Sequence, residues 1–153
     1  MSDTFCTRVA TVATGSDKTS INLFNPIATP TSRGRIRYLE IGGMGTPGDN
    51  AADFLLNRTT AVGTEGSGLV PHNISGGPAG DYDSGLGVFG GEPTYTAASQ
   101  LWGGQLNHRG TLQHWFMEGC EPILAATQNN GAGLKSVTSG STQAYGATIE
   151  YIE

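Results

Sequence analysis

The chain has 153 residues, 24 of them glycine, and a formal net charge of −5. Glycine is about twice its ordinary share, and charged residues make up only 14%, so the surface is polar through Ser, Thr, Asn and Gly rather than through charge. The eight lysines and arginines are scattered, which leaves no basic face to neutralise phosphates and excludes nucleic acid as a partner, and no run approaches the roughly 20 apolar residues that span a bilayer.

In chain order, residues 7–14 alternate Thr7, Val9, Thr11 and Ala13 against Arg8, Ala10, Val12 and Thr14, a pattern that suits a pleated strand. Ile21, Leu23 and Phe24 belong to a second strand, which Asn25-Pro26 ends because proline cannot donate to a ladder. Residues 35–41 form a third. The spacing of Arg33, Arg35 and Arg37 predicts three guanidinium groups on one strand face. Alternation slips at Glu40, so either this carboxylate points inward or a bulge shifts the strand's phase.

A fourth strand carries Ala52, Phe54, Leu55 and Leu56 and ends near Arg58, which is a suitable ion-pair partner for Glu40 if the two strands are neighbours. Residues 63–93 are rich in Gly, Pro, Ser and Asp without regular apolar spacing, and predict a long loop that is functional or flexible. The strand pattern returns at 95–102, 110–117, 122–126, 133–137 and 144–152, between turn signals such as Gly103-Gly104 and Asn129-Asn130-Gly131. About nine short strands joined by connections of mixed length predict an all-β chain. The expected architecture is a single domain over 1–153, an antiparallel β-sandwich of jelly-roll type.

Candidate chemistry is sparse. His108 and His114, placed on one strand, would stand about 20 Å apart, too far to share a metal, and His72 lies in the long loop. Asp81-Tyr82-Asp83-Ser84-Gly85 starts like a calcium loop but lacks the distal glutamate. Gly66-Ser67-Gly68 and Gly85-Leu86-Gly87 have no strand-then-helix context for a phosphate. No GxSxG elbow occurs, and Glu121 beside Cys120 disfavours a thiolate.

No catalytic group, cofactor or metal is therefore expected. Cys6 and Cys120 read as buried free thiols, in keeping with an N-terminus that lacks an export signal and predicts a cytoplasmic site of synthesis. Trp102, Trp115 and Phe116 read as packing residues ahead of a sugar-stacking platform. Arg35, Arg37, His72, Tyr82, Phe89 and Trp102 stand as candidates for an interface with other proteins.

A succession of short motifs carries a resemblance. It runs through Asn25-Pro26-Ile27-Ala28, Arg37-Tyr38-Leu39-Glu40-Ile41, Asn57-Arg58-Thr59-Thr60-Ala61-Val62-Gly63-Thr64 and Glu92-Pro93-Thr94-Tyr95-Thr96. It continues through Asn107-His108-Arg109, His114-Trp115, Gly119-Cys120-Glu121, Asn129-Asn130-Gly131 and Glu150-Tyr151-Ile152-Glu153. In these the chain resembles tailed-bacteriophage virion proteins, in particular small jelly-roll-like capsid decoration, or cement, proteins. It departs from them at 82–91, where the connection is longer and richer in glycine.

The resemblance implies a protein that binds the major capsid protein on the outside of the shell, self-associates as a homotrimer and stabilises the shell by bridging capsomers. A tail, head-tail or fibre component is the alternative, and a glycan-binding jelly roll the second.

Overall fold

The computed structural model describes residues 3–13, 17–29, 31–44, 49–87, 89–137 and 144–153. Among these, eleven strands follow one another: β1 (Thr4–Ala13), β2 (Lys18–Phe24), β3 (Arg35–Gly43), β4 (Ala51–Ala61), β5 (Ser67–Leu69), β6 (His72–Asn73), β7 (Asp83–Leu86), β8 (Thr94–Asn107), β9 (Thr111–Trp115), β10 (Gly131–Ser136) and β11 (Ala144–Ile152). The described residues contain no helix, and so none long and apolar enough to cross a membrane.

The pairing has a simple logic. β1 pairs with β11, β2 with β10, β3 with β9 and β4 with β8, all antiparallel, so the chain is one long hairpin that doubles back at its middle. Rolling that hairpin adds the pairs β11 to β3 and β10 to β4. Two sheets result, β6-β1-β11-β3-β9 and β5-β7-β2-β10-β4-β8, packed as the β-sandwich the sequence predicts, in the jelly-roll order.

Period-2 alternation then fills the space between the sheets. Phe5, Ile36, Leu39, Ile41, Tyr145, Ala147, Ile149 and Tyr151 from one sheet meet Ile21, Leu23, Ala52, Phe54, Leu56 and Leu134 from the other. Phe54 meets Tyr145 edge to face at 4.8 Å, and Phe5 stacks on Tyr151 at 5.2 Å. β10 lies so close to β2 that a Cβ on Gly131 would run into the Leu23 carbonyl, which is why glycine stands there.

Four sequence expectations change. The 63–93 segment is no structureless loop: β5 and β7 extend one sheet beyond β2, while β6 extends the other beyond β1. It also supplies core residues, since Tyr82, Leu86 and Phe89 are buried. The Tyr82 hydroxyl accepts from the Gly34 amide and donates to the Ala125 carbonyl. Strands this short, set among glycine and proline, show no alternation to read.

Gly103-Gly104 does not end β8, which runs on to Asn107; the rings and side chains of Trp102 and Leu112 occupy the space a Cβ on Gly104 would need. Residues 122–126 form a loop rather than a strand, tied to β3 by a bond from Ile36 N to Pro122 O and to the residue before it by one from Leu124 N to Gly34 O. Finally, His108 and His114 do not share a strand: His108 is buried in the β8–β9 turn, and His114 lies on β9.

Candidate interaction face

A bulge in β3 shapes the outer face of the five-stranded sheet. Glu150 opposes Tyr38 but Tyr151 opposes Ile36, so Arg37 is the extra residue, and the phase shift points Ile36, Leu39 and Ile41 inward and Tyr38 and Glu40 outward. Of the two alternatives left open at Glu40, the bulge is the one realised. Two cross-strand rows then run over the outer face. One row is His72, Cys6, Glu150, Tyr38 and Trp115, and the next is Arg8, Thr148, Glu40 and Gln113.

At the β9 end these rows form a distinct cluster. The Trp115 indole lies over the Tyr38 ring at 4.3 Å between centroids and remains 66% exposed, while Tyr38 beneath it is only 8% exposed. The Tyr38 hydroxyl donates to Glu40 Oε2 at 2.6 Å, and Gln113 Nε2 donates to the same oxygen at 2.7 Å. Those two bonds hold the Glu40 carboxyl below the usual carboxylate range. Burial, and then the Glu40 partner, push the Tyr38 phenol up to about 12.

Met117, just past the strand, is 75% exposed. On the inner side of the same edge, Trp102, His114 and Phe116 pack as a half-buried chain of rings, at 5.6 and 4.6 Å. Among the described residues β9 is the edge strand of its sheet and β8 that of the other, so no further described strand pairs along this flank of the sandwich. From Thr94 to Met117 it carries one charged side chain, Arg109, which is paired with Asp49.

The other broad face is largely occupied by the chain itself. Residues around Val62 and Tyr95 lie across the six-stranded sheet: Asn22 Nδ2 donates to the Val62 carbonyl, Thr19 Oγ1 and the Tyr95 hydroxyl share a hydrogen bond at 2.7 Å, and the Tyr95 ring fills the space above Gly133. The five-stranded sheet is thus the open one.

The sequence-predicted residues distribute as follows. Glu40 and Arg58 are not an ion pair: β3 and β4 belong to different sheets, Glu40 is satisfied by Tyr38 and Gln113, and Arg58 Nη1 donates to the Ile123 carbonyl at 2.8 Å. Arg33, Arg35 and Arg37 do not share a strand face, because β3 starts at Arg35 and the bulge falls at Arg37. Arg37 lies 3.7 Å from Glu121, whose carboxyl is held low by backbone amides, Gly119 among them, and by Arg37 and Arg35.

Tyr82 and Phe89 are core residues and cannot be interface residues in this fold. His72 is exposed on the same outer face as Trp115 but four strands away, about 19 Å. Trp102 packs against the core on the open flank. Cys6 and Cys120 are both free, but neither is fully buried: Cys120 is exposed and Cys6 half-buried, with its thiol pushed up by burial and by Glu150. Asp81 accepts from Ser32, and its amide donates to Glu153.

Of the two packing roles open to Trp115, core or interface anchor, the exposed ring over Tyr38 excludes the core. The signal was in the sequence: Trp115, Phe116 and Met117 are consecutive, and successive strand residues cannot all point inward. Among the described residues no three His, Cys, Asp or Glu side chains come together as a metal site. No protein-family model, curated protein or solved structure matches the chain.

Proposed function

We propose that this chain is a capsid decoration protein of a tailed bacteriophage, made in the host cytoplasm and bound to the outer surface of the virion shell, where it bridges capsomers. The observation that carries the proposal is the exposed Trp115 and Met117 at the β8–β9 flank of the open sheet. A large aromatic anchored on Tyr38, with few charges around it, has the character of a binding hot spot. The resemblance of the succession of motifs to those of phage virion proteins supports the major capsid protein as the partner.

Self-association fits the same layout. A closed ring of copies requires two different surfaces on each subunit. Leu69, Val70 and Ile74 are exposed on the flank opposite Trp115 and offer the second. A homotrimer touching several capsomers gains avidity, because its second and third contacts form within an already bound complex. Co-sedimentation with expanded capsids tests the reading: binding at a fixed stoichiometry supports it, and a protein left in the supernatant opposes it.

One observation favours a second reading, a glycan-binding module. The exposed Trp115 face is flanked by Glu40 and Gln113, a stacking surface beside hydrogen-bonding groups. A glycan array probed with the native chain and with Trp115→Ala separates the two: a Trp115-dependent signal favours the glycan.

A further inference from the structure

The six arginines of the chain divide into two groups. Arg37 pairs with Glu121 and Arg109 with Asp49, Arg35 acts on Glu121, and Arg8 acts on Glu40. Arg33 and Arg58 differ in lining one cleft, and, like Arg8 and Arg35, neither forms an ion pair with any carboxylate among the described residues. In a chain with 13 acidic and 8 basic side chains carboxylates are in excess, so two guanidinium groups on one cleft that no acidic side chain lines stand out.

These two meet in one place. A cleft of about 310 Å³ at the end of the sandwich is lined by Arg33, Arg58 and the chain from Ile123 to Thr127, with no acidic side chain in its wall. Arg58 is half-buried and held in position by its bond to the Ile123 carbonyl, which leaves further N–H groups of its fork for a ligand. Arg33 is exposed at the rim. Two like charges converging on an open cleft repel one another, and an anion between them relieves that repulsion.

We propose that this cleft is a carboxylate-binding site, filled by an aspartate or glutamate side chain of a partner protein. Guanidinium forks match the planar, two-oxygen carboxylate. The acidic balance of the chain disfavours a polyphosphate backbone, and the cleft admits a side chain with part of the segment that bears it. Neither Trp115 nor Met117 lines this cleft, so the site does not rest on the capsid reading, and any protein that presents a carboxylate qualifies.

The test is a titration of the ¹⁵N-labelled full chain with a capped glycine-flanked glutamate peptide, followed at the arginine Nε–H signals and the backbone amides of 123–127. The expected result is a saturable shift confined to Arg33, Arg58 and that segment, absent with the matching glutamine peptide. Arg33→Gln should weaken binding about tenfold or more. Because Arg58→Gln also removes the bond to Ile123, the exposed Arg33 is the deciding variant. Three results would overturn the proposal: no saturable shift, equal shifts with the glutamine peptide, or binding of inorganic phosphate without binding of the glutamate peptide.

Discussion

Trp115 lies over Tyr38 on the outside of the sandwich, ring against ring at 4.3 Å, and it is the exposed partner of the two. A surface indole that shields a tyrosine from water is positioned by that tyrosine and free to meet something else. Trp115→Ala should therefore leave the fold intact and cut binding to the protein partner by about 2 kcal/mol, roughly thirtyfold. Thermal unfolding and shell co-sedimentation, measured on the same variant, check the two halves; a large stability loss with unchanged binding would assign Trp115 to packing.

Tyr82 gives the opposite expectation. It is fully buried, meets Tyr151 edge to face at 5.8 Å and hydrogen-bonds Gly34 and Ala125. Tyr82→Ala should cost about 3–5 kcal/mol in urea unfolding. Deleting 76–91 should abolish the fold, since it removes β7 with Tyr82, Leu86 and Phe89. A deletion variant with native circular dichroism would show that the inserted strands are dispensable.

Glu40 and Arg58 sit in different sheets with separate partners, so their substitutions should be independent. In a double-mutant cycle, Glu40→Ala and Arg58→Ala should add to within about 0.5 kcal/mol. A coupling of 1 kcal/mol or more, on the order of a real ion pair in contact, would restore the cross-strand bridge.

All five tyrosines hold their protons more tightly than a free phenol, burial being the first cause in each case, and Tyr38 and Tyr145 are pushed up to about 12. The unfolded chain releases these protons near the ordinary value of about 10. The folded pKa values are the higher ones, so the stabilisation is fully present below about pH 10 and is lost as pH rises through 12 and beyond. Phenolate absorbance should therefore appear together with loss of the β-sheet circular dichroism signal. Phenolates forming near pH 10 in a folded protein would contradict the buried placement.

The sandwich was legible because its main strands alternate. In β11, Tyr145, Ala147, Ile149 and Tyr151 are buried between half-exposed neighbours, and a one-residue slip would expose all four. The insertion was not legible, because β5, β6 and β7 have two to four residues each and Tyr82 and Phe89 stand among glycines, where only pairing with β1 and β2 makes them core. The interaction face was half legible. Glu40 broke the pattern and pointed to the bulge, whereas the Glu40, Tyr38 and Gln113 cluster depends on β3 meeting β9, a pairing across more than 70 residues that no local pattern reveals.

Electron microscopy of intact virions that carry this chain is the most direct measurement of its role. The proposed function predicts density for the sandwich on the outer capsid surface, with the Trp115 and Met117 flank against the shell. Density confined to the tail would contradict it in favour of a tail or head-tail component, and absence from the virion would contradict both.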